Sequence, residues 1–302
     1  MPNRVKGIIA DIKKFETHDG PGIRTTVFLK GCYLNCRWCA NPETKEPYPQ
    51  LYFIPRRCTG CGRCVKVCPE NALTMDLKNK VDRKKCIMCF KCVEACVNFA
   101  FKQVGREMTV EEVVTEVEKD KPFYGADGGL TVSGGEPLCQ PEFTRQLMKE
   151  VKERNISTVL DTSGYASWEV VESILEYTDL VLLDIKHMDP VKHKEGTGVA
   201  NQLILQNARL MVKKRPVRIS LPLIPGYNDS KDNIEKTADF ARSIGVEWVD
   251  IMPLHKFGQS KYEFLGLESP YEQYGQLSAE EVIYVRDIFR SRGLKTTIGR
   301  MM

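Results

Sequence analysis

The 302-residue sequence lacks any run of roughly 18 or more apolar residues, so neither a transmembrane helix nor a membrane partner is expected. Residues 1–20 also lack an apolar core long enough for a signal peptide, which favours a cytoplasmic protein. A large excess of one charge is absent too, because 44 basic and 40 acidic side chains leave a net charge of only +4. This mixed surface gives no case for a nucleic-acid partner.

Disulfide bonds are not expected in a cytoplasmic chain, because that compartment keeps thiols reduced. The sequence nevertheless contains 12 cysteines, and 11 of them lie between residues 32 and 96. Metal or iron–sulfur ligation explains this clustering better than core thiols scattered through a fold. The twelfth, Cys139, is interpreted as a small buried thiol.

Short apolar runs alternate with amphipathic segments over most of the chain. The strand candidates are residues 25–31, 129–134, 157–164, 180–186, 217–224 and 249–254. The helix candidates are residues 109–120, 141–154, 167–177, 201–214 and 231–244. Nearly continuous apolar runs suit strands buried on both faces of a parallel sheet, and their alternation with helices predicts βαβ units. About six such units fit a full or partial α/β barrel.

Residues 52–101 interrupt this alternation, because they are rich in cysteine and turn residues and lack the strand–helix rhythm. We interpret them as a small inserted domain, so that residues 1–51 and 102–302 form one discontinuous barrel. A segment of about 50 residues has little hydrophobic core, and bound metal is therefore expected to supply much of its folding free energy.

The inserted segment contains the spacing C-x2-C-x2-C-x3-C twice. The first run is Cys58, Cys61, Cys64 and Cys68, followed by Pro69, and the second is Cys86, Cys89, Cys92 and Cys96, followed by Val97. This resembles the bacterial two-cluster ferredoxins, in which the fourth cysteine of each run binds the other cluster. The resemblance implies an α+β ferredoxin-like domain with two 4Fe–4S clusters, one held by Cys58, Cys61, Cys64 and Cys96 and one by Cys86, Cys89, Cys92 and Cys68. Two zinc sites are the alternative.

A third cysteine group lies in "FLKGCYLNCRWCANPE", residues 28–43, where Cys32, Cys36 and Cys39 are spaced C-x3-C-x2-C. Structural zinc sites and ordinary iron–sulfur clusters usually take four protein ligands. Either a fourth ligand lies elsewhere, or one coordination position is left open for chemistry.

This spacing, with Trp38 before the last cysteine, resembles the signature of the radical S-adenosylmethionine (SAM) superfamily. The resemblance implies a partial (β/α)6-type barrel in which Cys32, Cys36 and Cys39 hold a 4Fe–4S cluster. SAM would chelate the open iron through its amino and carboxylate groups. Reduction would then break the S–C5′ bond of SAM into methionine and a 5′-deoxyadenosyl radical. A loose zinc site that borrows a fourth ligand is the alternative reading.

Polar residues at the ends of apolar strands are typical of barrel active sites. Such residues occur in "TVSGGEP", "LDTSG", "LDIKH", "VRISLPLIPG" and "MPLHKFGQ", and they are Ser133, Gly134, Gly135, Glu136, Asp161, Asp184, Lys186, Arg218 and His255. The alternatives are a plain turn at Gly-Gly-Glu, salt bridges at the barrel rim and a structural role for the histidine.

The segment "THDGPGIRTTVFLKGC", residues 17–32, resembles the D-G-P-G-x-R segment of the glycyl radical enzyme activating enzymes. The resemblance continues through "CANPE", "SGGEPL", "DTSGY", "DIKHMD", "PGYND" and "HKFGQSKYEFLG", and it corresponds to the long form that carries a two-cluster insert. It implies that the protein binds the C-terminal glycyl loop of a partner enzyme. The deoxyadenosyl radical would abstract a hydrogen from one glycine Cα of that loop.

The resemblance also implies roles for single residues. Trp38 would pack by the adenine, and Gly134, Gly135 and Glu136 would meet the amino end of the methionine. Asp184 and Lys186 would contact the ribose and carboxylate region, and Arg218 and His255 would complete the SAM pocket. Asp161 and Asp184 match the positions of a monovalent cation, and Asp19 matches a contact to the incoming peptide.

The sequence leaves several alternatives open. The insert could relay electrons from a donor such as flavodoxin or ferredoxin, or it could help to dock the partner. A radical SAM enzyme with a small-molecule substrate and a plain iron–sulfur electron-transfer protein are competing functions. The activated enzyme could be a decarboxylase, dehydratase, lyase or succinate synthase, with "CANPE" and "YEQYG" slightly favouring the decarboxylase activators.

Overall fold

The computed structural model describes residues 5–78 and 80–299. In chain order its strands are β1 (Lys6–Glu16), β2 (Arg24–Leu29), β3 (Gln50–Phe53), β4 (Phe101–Val104), β5 (Arg106–Thr109), β6 (Gly129–Gly134), β7 (Ser157–Thr162), β8 (Leu180–Asp184), β9 (Val217–Leu223), β10 (Trp248–Pro253) and β11 (Lys295–Ile298). Its α-helices are α1 (Arg63–Val67), α2 (Lys91–Glu94), α3 (Val110–Glu118), α4 (Pro141–Glu153), α5 (Trp168–Leu175), α6 (Pro190–Thr197), α7 (Gln202–Met211), α8 (Lys231–Ser243), α9 (Gln259–Leu265) and α10 (Ala279–Ser291). No helix of the described residues has the length and apolarity needed to cross a bilayer.

One large sheet organises the chain, with the strand order β11-β10-β9-β8-β7-β6-β2-β1-β5. Every neighbouring pair from β11 through β2 in this strand order is parallel. Strand β1 is antiparallel to both of its neighbours, β2 and β5. All six predicted strand segments lie side by side in the parallel part, which confirms the mixed α/β fold with a parallel sheet. Strands β5 and β11 form the two edges, so the sheet is open.

Helices α3, α6, α8 and α10 each begin after a residue whose side chain accepts a hydrogen bond from the first turn. Thr109 and Glu112 form a capping box at α3, because the Thr109 hydroxyl accepts from the Glu112 N–H at 3.2 Å and the Glu112 carboxylate accepts from the Thr109 N–H at 2.7 Å. Ser278 and Glu281 repeat this arrangement at α10. These local signals explain why several predicted helices end within two or three residues of the observed bounds.

The two faces of the parallel sheet differ in polarity. Leu130, Leu160, Leu183 and Ile219 belong to the main hydrophobic core, together with apolar side chains of the surrounding helices. Because successive side chains of a strand point to opposite faces, the intervening polar residues lie on the other face, and they include Thr131, Ser133, Asp161, Asp184, Arg218, Ser220 and Asp250. The sheet therefore presents a polar inner face on the side opposite the main hydrophobic core.

Arg24 ties the turn that precedes β2 to the neighbouring strands. Its guanidinium is fully buried, and burial lowers its pKa to about 10, so that it stays protonated at neutral pH. It donates to the Thr131 hydroxyl at 2.7 Å and to backbone carbonyl oxygens of Pro21, Leu130 and Ser157 at 3.0, 2.7 and 3.1 Å. The arginine of the D-G-P-G-x-R segment is thus a structural tie at the start of the sheet.

The cysteine-rich segment is enclosed by its own ribbon. Strands β3 and β4 pair antiparallel, and Leu51 and Phe53 of β3 face a small core that contains Cys64, Cys92 and Phe101. On the barrel side, Tyr52, Val104 and Leu265 of α9 form a separate apolar cluster. The ribbon therefore joins two packed regions, one around the sheet and one around the cysteine runs.

We expect Arg24→Lys to lower the free energy of unfolding by roughly 3 kcal/mol, because one ammonium cannot replace a guanidinium that serves several buried oxygen atoms. Urea unfolding of the metal-free protein measures this change. Arg145→Lys on α4 is the matched control, and it should change the free energy by less than about 0.5 kcal/mol. Equal losses in the two variants would contradict the structural role of Arg24.

Candidate active site

The loop with three cysteines begins directly after β2, at the carboxyl edge of the parallel strands. The Gly31 N–H donates to the Thr44 carbonyl at 2.8 Å, and the Cys32 N–H donates to the Lys45 carbonyl at 3.0 Å, so the loop is folded back on itself. On its other side, the Asn35 N–H donates to the carbonyl of Thr197 at 2.7 Å. Backbone hydrogen bonds therefore fix the loop from both sides.

Two tyrosines hold the last cysteine of this loop. The Tyr262 and Tyr271 hydroxyls donate to the Cys39 carbonyl oxygen at 2.8 and 3.1 Å. Both rings are buried and lie edge to face, with centroids 5.9 Å apart. The sequence analysis did not assign these residues, although both lie in segments that it quoted.

The three thiols lie in surroundings that disfavour a free thiolate. Burial raises the pKa of Cys36 to about 11, although the nearby Lys186 acts in the opposite direction. Burial also raises the pKa of Cys32 and of Cys39. Metal ions supply the positive charge that stabilises thiolates in such a place. Three clustered thiols next to a cation therefore fit an iron–sulfur cluster.

The S-G-G-E segment packs against the cysteine loop without room for side chains. A Cβ at Gly135 would lie 2.3 Å from the Gly31 carbonyl oxygen, and one at Gly134 would lie 2.4 Å from the Leu29 nitrogen. Gly134 also has φ of +111°, which favours glycine. The Glu136 N–H donates to the Gly31 carbonyl at 2.8 Å. The two segments thus form one rigid unit.

The Glu136 side chain is bound within the protein. Its carboxylate accepts from the Thr162 hydroxyl at 2.6 Å, from the Ser163 N–H at 2.8 Å and from the Leu138 N–H at 3.1 Å, and the Ser163 hydroxyl is a further donor. Burial raises the pKa of this carboxyl group. In this arrangement the carboxylate joins the segments that follow β6 and β7.

Asp184 and Lys186 form an ion pair after β8. The Lys186 Nζ lies 2.5 Å from Asp184 Oδ2. Burial opposes the charge of Lys186, but Asp184 and the thiols of Cys36 and Cys32 outweigh it and raise the lysine pKa. The lysine therefore remains a fixed positive charge between the aspartate and the cysteine loop.

Asp161 accepts a hydrogen bond from the Ser133 hydroxyl at 2.7 Å on the adjacent strand. No three His, Cys, Asp or Glu side chains of residues 5–78 and 80–299 are gathered as a site for a single metal ion. The assignment of Asp161 and Asp184 to a monovalent cation stays a prediction.

Arg218 lies on the inner face as the second residue of β9. Its guanidinium binds the Asp250 carboxylate with two nitrogens, one of them at 3.0 Å, and it lies 4.7 Å from the ring centroid of Trp248. Thr297 donates to the same carboxylate at 2.6 Å. Arg218 thus lies near the start of β9 rather than at the strand end where the sequence analysis expected it, and it forms an ion pair with an aspartate that the sequence analysis had not assigned.

Trp38 and His255 occupy different surroundings. Trp38 is buried and packs against Tyr227, with ring centroids 4.5 Å apart. His255 follows β10, is exposed, and stacks on Phe257 at 4.8 Å. The nearby Lys261 binds the Glu43 carboxylate of the cysteine loop at 2.5 Å. Both predicted residues therefore lie near the cysteine loop.

Asp19 lies on the inner side of β2 and β6. Its carboxylate accepts from the Thr26 hydroxyl at 2.8 Å, and its carbonyl oxygen accepts from the Thr131 hydroxyl at 2.7 Å. Asp19 precedes β2 whereas the cysteine loop follows it, so the strand separates the two. A ligand that reached both would extend along the polar inner face.

The cysteine-rich segment contains two small cavities, each of about 20 Å³. The cysteines that line the first are Cys68, Cys86, Cys89 and Cys92. Those that line the second are Cys58, Cys61, Cys64 and Cys96. Each cavity thus combines three cysteines of one run with the fourth of the other, as the ferredoxin resemblance implies.

The comparisons agree with these observations. The profile of the Radical SAM superfamily matches residues 26–241. The isethionate sulfite-lyase activating enzyme of Nitratidesulfovibrio vulgaris is 42% identical over 277 residues, which are 88% of this chain and 90% of that protein. The 4-hydroxyphenylacetate decarboxylase activating enzyme of Clostridioides difficile is 39% identical over 306 residues, which are 98% of this chain and 97% of that protein. A radical SAM methyltransferase from Sphaerobacter thermophilus has a similar fold, with a TM-score of 0.53 at 17% identity over 91% of this chain and 66% of that one.

In the protein reconstituted with iron and sulfide, we expect the double variant Tyr262→Phe/Tyr271→Phe to lose iron from the cysteine loop to a chelator about thirtyfold faster, because two hydrogen bonds of about 1 kcal/mol each are removed. Time-resolved EPR of the reduced protein measures this loss. The part of the EPR signal that changes when SAM is added reports on the cysteine loop and not on the other cysteines. Tyr284→Phe, at an exposed position on α10, should lose iron at the unaltered rate. Unchanged iron loss in the double variant would remove the positioning role.

Proposed function

The chain belongs to the radical SAM superfamily and, within it, to the activating enzymes of glycyl radical enzymes, and from this membership we propose which residues perform each part of the activation. As a member of this family it cleaves SAM and generates a glycyl radical on a partner enzyme. The family implies a 4Fe–4S cluster, which supplies the electron that breaks the S–C5′ bond. The observation that carries the assignment is the group of three thiols beside a buried lysine at the carboxyl edge of the sheet.

We assign the cluster to Cys32, Cys36 and Cys39, whose loop is fixed on both sides by backbone hydrogen bonds. SAM is a zwitterion at its methionine end, and it needs both a cation and hydrogen-bond acceptors. Lys186 and Asp184 supply charges of both signs next to the thiols. The backbone of Gly134 and Gly135 can approach the amino group closely, because neither residue has a side chain.

The remaining pocket residues complete the binding of SAM. Trp38 packs on the adenine side, and Arg218 and His255 close the pocket. For this role, the Arg218 guanidinium must bind SAM while it also binds Asp250. Asp161 and Asp184 hold a monovalent cation in this proposal, with the second carboxylate also serving the ribose.

The partner's C-terminal glycyl loop enters the polar inner face of the sheet. Asp19 contacts this peptide, and Arg24 supports Asp19 by fixing the turn that follows it. The hydroxyls of Thr26 and Thr131 orient the aspartate. A peptide backbone needs such polar partners when it leaves water, whereas an apolar inner face would offer none.

We further propose that residues 52–101 form an inserted ferredoxin-like domain in a barrel of residues 1–51 and 102–302. Two additional 4Fe–4S clusters occupy its cavities, which gives three clusters in total. The support is the division of the eight cysteines between two cavities in the crossed pattern. A flavodoxin or ferredoxin is the electron donor.

The first experiment is an anaerobic assay. The protein is reconstituted with iron and sulfide, reduced with dithionite and mixed with SAM, with and without glycyl-loop peptides from decarboxylase and sulfite-lyase partners. We expect 5′-deoxyadenosine whose yield rises with one of these peptides, together with a glycine-centred EPR signal. The peptide that gives the larger signal identifies the kind of partner.

Two outcomes would contradict the proposal. Deoxyadenosine that is indifferent to every glycyl-loop peptide would favour a small-molecule substrate. Failure of the fully loaded and reduced protein to cleave SAM would indicate an electron-transfer protein.

Replacing Cys58 and Cys61 by alanine should slow reduction of the protein by its donor but leave SAM binding unchanged, because neither residue contacts the cysteine loop. SAM binding is measured by equilibrium dialysis, with Cys32→Ala as the variant that abolishes the SAM-dependent EPR change. Loss of SAM binding in the double variant would show that the two regions do not act independently.

A further inference from the structure

The positive charge of the chain is concentrated in the cysteine-rich segment. Residues 52–101 contain ten lysines and arginines against four aspartates and glutamates, whereas the rest of the chain has 34 basic and 36 acidic side chains. The net charge of +4 therefore arises entirely from this segment. A local excess of this kind attracts acidic partners and accelerates their association.

One of the two cavities adjoins the barrel. Leu51 lines the cavity with Cys68, Cys86, Cys89 and Cys92, which we call the inner cavity. The Arg83 guanidinium donates to the Leu51 carbonyl at 2.5 Å and to the Phe264 carbonyl of α9 at 3.0 Å. The same helix carries Tyr262, which binds the Cys39 carbonyl. A short chain of contacts thus connects the inner cavity to the catalytic loop.

The other cavity lies farther along the ribbon. Phe101 lines the cavity with Cys58, Cys61, Cys64 and Cys96, which we call the outer cavity. Phe101 pairs with Phe53, whereas Leu51 pairs with Gln103. Two residues of a strand span about 7 Å, and β3 runs away from the barrel in this direction. The outer cavity is therefore the more remote of the two, and Cys61 at its wall is exposed.

Unpaired cations and exposed apolar side chains surround the outer cavity. Arg56, Arg57, Arg63 and Lys66 are exposed, and within residues 5–78 and 80–299 none of them forms an ion pair. Phe99 and Val97 are 71% and 58% exposed. An apolar centre with a charged rim is typical of a protein interface. We call these six residues the outer basic surface.

Hydrogen bonds join two parts of this surface. An Arg57 nitrogen lies 3.5 Å from the Phe99 carbonyl oxygen, and the Asn98 amide donates to the Thr59 hydroxyl at 2.8 Å. These hydrogen bonds hold residues 57–59 next to residues 97–99 at the outer cavity. An approaching protein would meet both ends and the exposed Cys61 at once.

We propose that the outer basic surface docks an acidic one-electron carrier protein, and that electrons pass from the outer cavity through the inner cavity to the cluster held by Cys32, Cys36 and Cys39. Each encounter oxidises the carrier by one electron and reduces the cluster of the outer cavity by one. The proposal rests on the proposed function, because it requires clusters in both cavities. It commits the surface to the electron donor rather than to the glycyl radical enzyme.

Cations favour electron acceptance at both cavities. Lys80 is 2% exposed, lines the outer cavity and donates to the Thr74 carbonyl at 2.5 Å. Arg83 lies close enough to Cys86 and Cys92 to interact with both thiols at the inner cavity. Positive charge near a cluster stabilises its reduced, more negative state. Each cavity therefore has a nearby positive charge that compensates for an added electron.

The test measures electron transfer in the absence of SAM, on the reconstituted full chain. Photoreduced flavodoxin is mixed with the protein in a stopped-flow instrument, and oxidation of its flavin is recorded at several salt concentrations. We expect Arg56→Glu/Lys66→Glu to lower the second-order rate constant about tenfold at low salt and to abolish its decrease with salt. Lys84→Glu/Lys85→Glu carries the same charge change beside the inner cavity and should alter the rate less than about twofold.

Several results would overturn the docking proposal. An unchanged rate in the outer variant, or equal losses in the two variants, would remove the outer surface as the docking site. Impaired activation by the outer variant under dithionite, which bypasses the carrier, would assign the surface to the glycyl radical enzyme instead. Failure of the unaltered protein to cleave SAM with dithionite would reject the proposed function, but the flavin measurement would still report on docking.

The order of transfer is tested with one variant at each cavity. In Cys61→Ala, flavodoxin should fail to reduce both remaining clusters at the normal rate, whereas dithionite should still reduce them. In Cys89→Ala, flavodoxin should reduce the outer cluster normally but not the SAM-binding cluster. Freeze-quench EPR distinguishes the signals, and iron analysis confirms loading. Normal reduction of the SAM-binding cluster by flavodoxin in Cys61→Ala would overturn the order.

Discussion

The difference in polarity between the two faces of the parallel sheet is the constraint on which the rest of the molecule depends. One face must be apolar, since its burial against the helices is the main favourable term in folding. The other face carries the polar residues Asp161, Asp184 and Arg218, which we propose to bind the ligands. Strand alternation satisfies both demands with the same residues, because each strand sends alternate side chains to opposite faces. The catalytic loop then needs only to be fixed at the carboxyl edge of this sheet.

The sequence predicted the parallel strands well, because their apolar runs are nearly continuous. It missed β5 and β11 at the edges of the sheet and β1 next to one edge, and all three are only partly buried. It also treated the strands as apolar on both faces, although "VRISLPL" and "WVDIMP" place Arg218 and Asp250 on the inner face. A short apolar run with only one or two polar residues does not show which side chains point to the inner face and which to the core.

The candidate site was predictable wherever its signal is local. The spacing of Cys32, Cys36 and Cys39 is visible within eight residues, whereas Tyr262 and Tyr271 reach Cys39 across 223 and 232 positions of the chain. No local pattern distinguishes such tyrosines from others. For Glu136, the sequence motif identified the residue but could not predict its contacts. The carboxylate accepts four hydrogen bonds from within the protein. Contacts between distant segments decide what a side chain is free to do.

The crossed arrangement of the cysteine runs has a consequence for the life of the protein in the cell. Cys68 is the last cysteine of the first run, but it lines the inner cavity. Cys96 is the last cysteine of the second run, but it lines the outer cavity. Each run therefore contributes cysteines to both cavities, so that a displacement of one run alters both. With the proposed clusters in both cavities, damage by oxygen at the exposed Cys61 would also disturb the run that supplies Cys68 to the inner cavity. Maturation and repair of the two proposed clusters would then be coupled, because iron would have to be restored to both cavities.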